Sequence, residues 1–257
     1  MSEKPTKNSE GTPAIEPAIK PERIAKVIAR AGLASRREAE RMIEAGRVSV
    51  DGTIISSPAL NVTSANIITL DGKELPKAER ARLWCYHKPK GLVTTHRDTE
   101  GRTTVFDSLP AGLPRLISIG RLDINSEGLL LLTNDGGLAR TLELPETGWT
   151  RRYRVRAHGR VTTKQLTAIE KGVTVDRVRY GPIQATLDKE QGANIWLTVS
   201  LQEGKNREVR RVMEYLGLTV NRLIRIAYGP FQLGKLKRSE VKEIPKKALT
   251  EQLGSKI

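Results

Sequence analysis

Residues 120–137 read GRLDINSEGLLLLTNDGG. The four leucines Leu129, Leu130, Leu131 and Leu132 predict a core strand, and the polar run before them, with Arg121, Asp123, Asn125 and Glu127, predicts a loop at the point where that strand enters the core. Asn134 or Asp135 is placed to cap a following helix whose inner side carries Leu138, Ala139 and Leu142. Capping gives Asp123 no role. A carboxylate at the edge of a core loses hydration unless a cation meets it, and sites of that kind are often functional. A calcium loop is excluded by its last ligand: with Asp123, Asn125, Glu127 and Gly128 at positions 1, 3, 5 and 6, position 12 falls on Asn134 where a glutamate is required.

A cation for Asp123 is available downstream in NREVRRVMEYLG, residues 206–217. Val209, Val212, Met213 and Leu216 form an apolar helical stripe, Arg207 and Arg211 point away from it, and Arg210 lies at its border. From there Arg210 has the reach to bury its stem and bring its guanidinium to a partly buried carboxylate. An ordinary surface arginine on an amphipathic helix fits the same spacing. Elsewhere RRYRVRA (151–157) alternates, with Tyr153, Val155 and Ala157 on one face, and Ile195, Leu197, Val199 and Leu201 alternate after a turn at Gln191-Gly192. LWCYHKP is an apolar run that breaks at Lys88-Pro89-Lys90-Gly91, and QLTAIEKG reads as a helix. Strands joined by hairpins, with a few helices, predict an α+β domain on a mixed, largely antiparallel sheet over residues 82–245.

Toward the N-terminus a smaller unit is expected over residues 21–80. Ile24, Val27, Ile28 and Ala31 give a short helix ending at Gly32, and Ser35 with Glu38 forms a capping box for a second helix with Ala39, Met42 and Ile43 inward and Gly46 at its end. Val48 and Val50, the Asp51-Gly52 turn, and Ile54 and Ile55 give a hairpin. Arg30, Arg36, Arg37, Arg41 and Arg47 stay off these apolar faces and are candidate phosphate contacts. Residues 1–20, with Pro5, Pro13 and Pro17 and few large aliphatics, are expected to be a disordered leader, and residues 246–257 a basic extension or solvated tail.

The whole chain of 257 residues carries 44 lysines and arginines against 29 acids, a net charge of +15 spread along its length, which points to a polyanionic partner, RNA or DNA. One cysteine, Cys85, and three scattered histidines offer no tetrahedral zinc site, so no metal is expected. No apolar run reaches the roughly 20 residues of a membrane span, and no signal peptide is seen at the start, so a cytoplasmic protein is expected.

HKPKG (87–91), GRLDINSEGLLLLTNDG (120–136), RRYRV (151–155) and LQEGKNREVRRVMEYLG (201–217), in this order, resemble the ribosomal pseudouridine synthases, within them the large-subunit synthase B group. The ASRREAERMIEAGRVSVDG string (34–52) resembles the RNA-binding module named for ribosomal small-subunit protein four. The resemblance implies a cofactor-free isomerase that converts a uridine of ribosomal RNA, in the 23S RNA of the large subunit or an assembly intermediate, to pseudouridine; it further implies a monomer. It makes Asp123 the catalytic residue, Arg210 its ion-pair partner, and Tyr153 the residue that stacks near the base and serves late proton removal. Arg121 and Leu223 would line the substrate pocket. Ser126 and Arg152 depart from residues common in that family, which touches orientation more than chemistry. A 16S-specific synthase, or a non-catalytic ribosome-associated RNA-binding protein, are the competing expectations.

Overall fold

A computed structural model describes residues 20–144 and 147–254, so the expected leader falls outside the described residues except for Lys20. The described residues divide into two compact units, parted between Ala78 and Glu79.

In the first unit, β1 (Glu22–Arg23) leads into α1 (Ile24–Arg30), which buries Ile24, Ala25 and Ile28 and ends through Gly32 at φ +81°. α2 (Arg36–Glu44) starts where the Ser35 hydroxyl accepts the Glu38 N–H at 3.1 Å. Only this half of the expected capping box forms, because the Glu38 carboxylate turns to Arg41. β2 (Val48–Val50) and β3 (Thr53–Ile55) are joined by Asp51 at φ 49° and Gly52 at φ 82°, two left-handed residues as a tight hairpin requires. β4 (Asn61–Val62) pairs with β1, while β5 (Ile68–Leu70) and β6 (Lys73–Glu74) complete a sheet of order β3-β2-β5-β6. Ala39, Ile43, Val48, Val62 and Ile68 close one small core over α1.

The second unit is an α+β domain. Its strands and helices run β7 (Leu83–Lys88), β8 (Ile117–Ile119), β9 (Glu127–Thr133), α3 (Gly136–Glu143), β10 (Arg151–His158), α4 (Thr163–Ala168), β11 (Val173–Val175), β12 (Val178–Tyr180), β13 (Ile183–Gln191), β14 (Asn194–Leu201), α5 (Glu208–Tyr215), β15 (Thr219–Tyr228), β16 (Phe231–Gln232), β17 (Val241–Glu243) and α6 (Lys246–Leu253). β11 and β12 pair as a separate hairpin. The main sheet has the order β13-β14-β10-β15-β9-β7-β17, with β16 beside β15 and β8 beside β9. All of its pairings are antiparallel but one: β9 and β15 run parallel, with Ile224 opposite Glu127 and Arg225 opposite Gly128.

The four leucines are explained by two cores. Leu130 and Leu132 pack with Val155, Leu197 and Val212 on one face of β9, and Leu129 and Leu131 with Leu138, Leu142 and Tyr228 on the other. A central strand covered on both faces has no solvent side, hence no polar alternation. The cap of α3 is Asp135, which accepts the Leu138 N–H at 2.7 Å; Asn134 instead accepts the Arg82 N–H at 2.8 Å.

The expected basic extension is a correction. In its described part it is α6, with Leu249 and Leu253 buried in the second core; β17, just before it in the chain, extends the sheet at β7. Two leucines at i and i+4 make a buried stripe that the flanking lysines obscure in the sequence.

Candidate active site

Residues 120–126 join β8 to β9, and their backbone is held from several directions. Leu122 O accepts the Thr94 hydroxyl at 2.8 Å, Ile124 O the Gly91 N–H at 2.8 Å and Asn125 O a proton of Arg210 Nη2 at 3.0 Å. Lys88 Nζ supplies the rest, donating to Asp123 O at 3.1 Å, Ser126 O at 2.9 Å and Pro89 O at 3.1 Å. Every carbonyl from Leu122 to Ser126 therefore has a donor. The Asp123 carboxylate is different: among the described residues it takes part in no hydrogen bond or ion pair, and it faces a cavity of about 720 Å³.

Lys88 is fully buried. Burial pushes its ammonium down to about 8, against the pull of Asp123 and Glu127 in the other direction and with a smaller push from Arg225. The signal for it was present in the sequence, since Lys88 is in phase with the buried Trp84 and Tyr86 along β7. Read only as the residue at which an apolar run breaks, it was missed.

Arg210 is placed as the helical stripe suggested and is 8% exposed. The expected ion pair with Asp123 does not form. Its Nη1 donates to Val220 O at 3.1 Å and its Nη2 to Asn125 O, so the guanidinium ties α5 and β15 to the loop by backbone carbonyls. Burial lowers its pKa from the usual arginine range, as does the charge of Arg207, while the charges of Asp123 and Glu214 oppose both. Arg210 thus acts on Asp123 through the field and through the loop, not by contact.

The cavity brings together Arg121, Asp123, Tyr153 and Leu223 of the residues expected from the sequence, and Arg210 does not line it. Tyr153 is 8% exposed on β10, where it stands opposite Val199 of β14 and Arg225 of β15. Arg151, Arg225, Tyr228, Lys205 and Glu208 also line the cavity, and none was singled out from sequence. Burial raises the Glu208 carboxyl above the usual range, against the Lys205 N–H that it accepts at 2.8 Å.

Glu127, read as part of the loop, is the first residue of β9 and is buried. Arg222 Nε and Nη2 donate to its two oxygens at 2.6 and 3.1 Å, and Arg238 adds a contact at 3.4 Å. Burial pushes this carboxyl up, but the hydrogen bonds and charges of Arg222, with Arg238 and Lys90, hold it below the usual range.

Gly128 sits at the parallel crossing with φ +106°, and a Cβ there would lie 2.3 Å from Arg225 O and 2.7 Å from Arg225 N. Only glycine lets the two backbones come this close.

In the first unit the five arginines fall into two groups. Arg30 pairs with Glu22, Arg41 with Glu38 and Arg47 with Asp71. Arg36 and Arg37 are exposed and, among the described residues, pair with no carboxylate. Among the described residues no group of three or more histidine, cysteine or acidic side chains is arranged to hold a metal, and no helix is long and apolar enough to cross a membrane.

Residues 82–215 match the model of the family described as RNA pseudouridylate synthase, and residues 22–68 that of the S4 domain. A protein named uncharacterized RNA pseudouridine synthase from Rickettsia felis is 51% identical over 228 residues, covering 89% of this chain and 99% of its own. The ribosomal large subunit pseudouridine synthase B of Haemophilus influenzae is 43% identical over 86% of this chain and 63% of its own, and that of Salmonella typhimurium 45% identical over 83% and 76%. A crystal structure of a pseudouridylate synthase superposes with a TM-score of 0.64 at 24% identity, covering 90% of this chain and 99% of its own, a likeness of fold.

Proposed function

From the premise that the chain belongs to the RNA pseudouridylate synthase family and is a pseudouridine synthase acting on RNA, we propose that it isomerises a uridine of large-subunit ribosomal RNA, with Asp123 as its catalytic group and no cofactor. The ribosomal target is supported by the relatives named large subunit pseudouridine synthase B, and by the small unit that matches the S4 domain. The chemistry is supported by one observation above the others: a loop whose carbonyls from Leu122 to Ser126 are all occupied, presenting a carboxylate that no group among the described residues occupies.

The reaction breaks the bond from ribose C1′ to uracil N1 and forms one from C1′ to C5. A proton leaves C5 and one is gained at N1, so there is no net oxidation or reduction. Asp123 opens the sequence by bonding to carbon or by taking a ribose proton, and it is regenerated at the end. Tyr153 stacks against the base and takes the C5 proton in the last step. The cavity is entered by a single nucleotide turned out of its helix, with Leu223 against the base and Arg121 at the rim. Lys88 and Arg210 fix the carboxylate's position by holding the backbone that follows it, at Asp123 O and Asn125 O.

Carbodiimide mapping of pseudouridines in ribosomal RNA from cells with and without the gene tests the reading. One site lost from the large-subunit RNA is expected, restored by the wild-type chain and not by Asp123→Asn. A site lost from the small-subunit RNA, or restoration by Asp123→Asn, overturns it.

A further inference from the structure

Arg225 is 3% exposed, lines the cavity beside Tyr153, and has only part of its hydrogen-bonding capacity used. Its Nε donates to Leu129 O at 2.7 Å, but Nη2 is buried without a hydrogen-bond partner among the described residues. Among the described residues no carboxylate pairs with it. The nearest compensation is the Tyr228 ring, whose centroid lies 5.2 Å from the guanidinium carbon and which also carries Arg151 at 4.8 Å. A buried arginine with a free N–H and no counter-ion is costly to keep in a fold, and the usual resolution is that a ligand supplies the acceptor.

Resting on the reading above, we propose that Arg225 is a further catalytic residue: through Nη2 it donates to a carbonyl oxygen of the target uracil and stabilises the negative charge that the base acquires during isomerisation. The charge arises by either route open to Asp123. If the C1′–N1 bond breaks first, its electron pair leaves with the base and spreads over N1, O2 and O4. If a nucleophile adds to C6 first, the pair of the C5–C6 double bond moves toward O4. When the new C5–C1′ bond forms, the pair returns from the base to carbon and the oxygen is neutral again. Arg225 keeps its protons throughout, so it acts by charge alone, from a buried position where a fixed donor is most effective. Its position is set by the parallel crossing, since Arg225 is the residue opposite Gly128.

The test uses fluorine as a substitute for part of that stabilisation. Single-turnover conversion is followed by mass-spectrometric nucleoside analysis on full-length large-subunit ribosomal RNA transcribed with uridine or with 5-fluorouridine, whose electron-withdrawing fluorine makes the base a better acceptor of charge. The fluorinated base is read as uridine consumed and C-glycoside formed, a measure that does not need loss of the C5 substituent. Wild type converting uridine supports the proposed function; conversion of neither transcript removes that reading and this inference with it. Arg225→Met, which keeps the apolar stem and removes every donor, is expected to lose about 100-fold or more on the uridine transcript and at least tenfold less on the fluorinated one. Arg225→Lys, with a cation but no fork to serve Leu129 O and the base together, should fall between the two, and it carries the same comparison if the methionine variant does not fold. An equal loss on both transcripts would assign Arg225 a structural role, and unchanged rates in a folded variant would remove it from the reaction; either outcome overturns the proposal.

Discussion

In the first unit Arg30, Arg41 and Arg47 each meet a carboxylate, whereas in the second Lys88, Arg210 and Arg225 are buried and donate to backbone carbonyls. Exposed ion pairs contribute about 0–1 kcal/mol and are screened by salt. Hydrogen bonds from a charged donor contribute about 1.5–3 kcal/mol, and removing the donor leaves desolvated acceptors behind. The first arrangement is a surface that can be altered residue by residue. The second is a scaffold in which Lys88 and Arg210 fix the backbone around Asp123 and Arg225 ties β15 to β9.

That contrast is broken most decisively at Asp123. Asp123→Asn is expected to lower the single-turnover rate of pseudouridine formation by at least about 1,000-fold while leaving RNA affinity, measured by filter binding, within a few-fold. Substantial turnover by the variant would mean that the scaffold presents something else. Next is Gly128→Ala, whose Cβ would enter the Arg225 backbone at φ +106°. A loss of about 3 kcal/mol in urea unfolding is expected, and a near-neutral result would show that β9 and β15 can part without cost.

Lys88 sharpens the contrast through pH. Its folded-state value, about 8, lies below the ordinary 10.5, so between these values the unfolded chain holds a proton that the folded one has released. Stability therefore rises with pH across that window, by up to about 3 kcal/mol, and levels off above it. Cys85, pushed up to about 11 by burial from 9.0, works the other way above its ordinary value and does so in any Lys88 variant too. The difference between wild type and Lys88→Met isolates the lysine: the wild-type curve should climb relative to the variant from pH 8 upward, and parallel curves would refute the assignment. The smallest effect is expected at the surface. Replacing Arg36 and Arg37 with alanine should weaken RNA binding about tenfold and reduce the slope of log affinity against log salt by about two. The same double replacement of Arg41 and Arg47, already paired to acids, should do less.

What the sequence disclosed and what it withheld divide along the same line. The leucine run, the stripe of α5, the Asp51-Gly52 hairpin and the alternation of β10 and β14 were readable because each is a local pattern of period two or 3.6. So was the suspicion attached to Asp123, since a polar residue out of place shows in one dimension. The parallel pairing of β9 with β15 was not, because nothing in either segment names its partner. The direct ion pair between Asp123 and Arg210 was expected from complementary charge, but the orphan carbonyls of Asn125 and Val220 claimed the guanidinium instead. A backbone acceptor that must be satisfied has no letter in the sequence. Lys88 and Arg225 went unseen for the opposite reason: Lys88 reads as the end of an apolar run and Arg225 was not singled out, although their phase with Tyr86 and Leu223 marked them as inward.

The pairing of β9 with β15 rests on two residue pairs, Ile224 with Glu127 and Arg225 with Gly128. On one side of it lie β7, β8, β9 and β17, which carry the Asp123 loop; on the other lie β10, β13, β14 and β15, which carry Tyr153, Leu223 and Arg225. A slip of a single residue would turn Leu223 and Arg225 to the opposite face and bring Ile224 inward. Contacts between segments so distant in the chain form slowly during folding, after the hairpins on either side. Newly made molecules should therefore acquire native-like strand content before they acquire activity, and the delay between the two would time the moment at which this register is chosen.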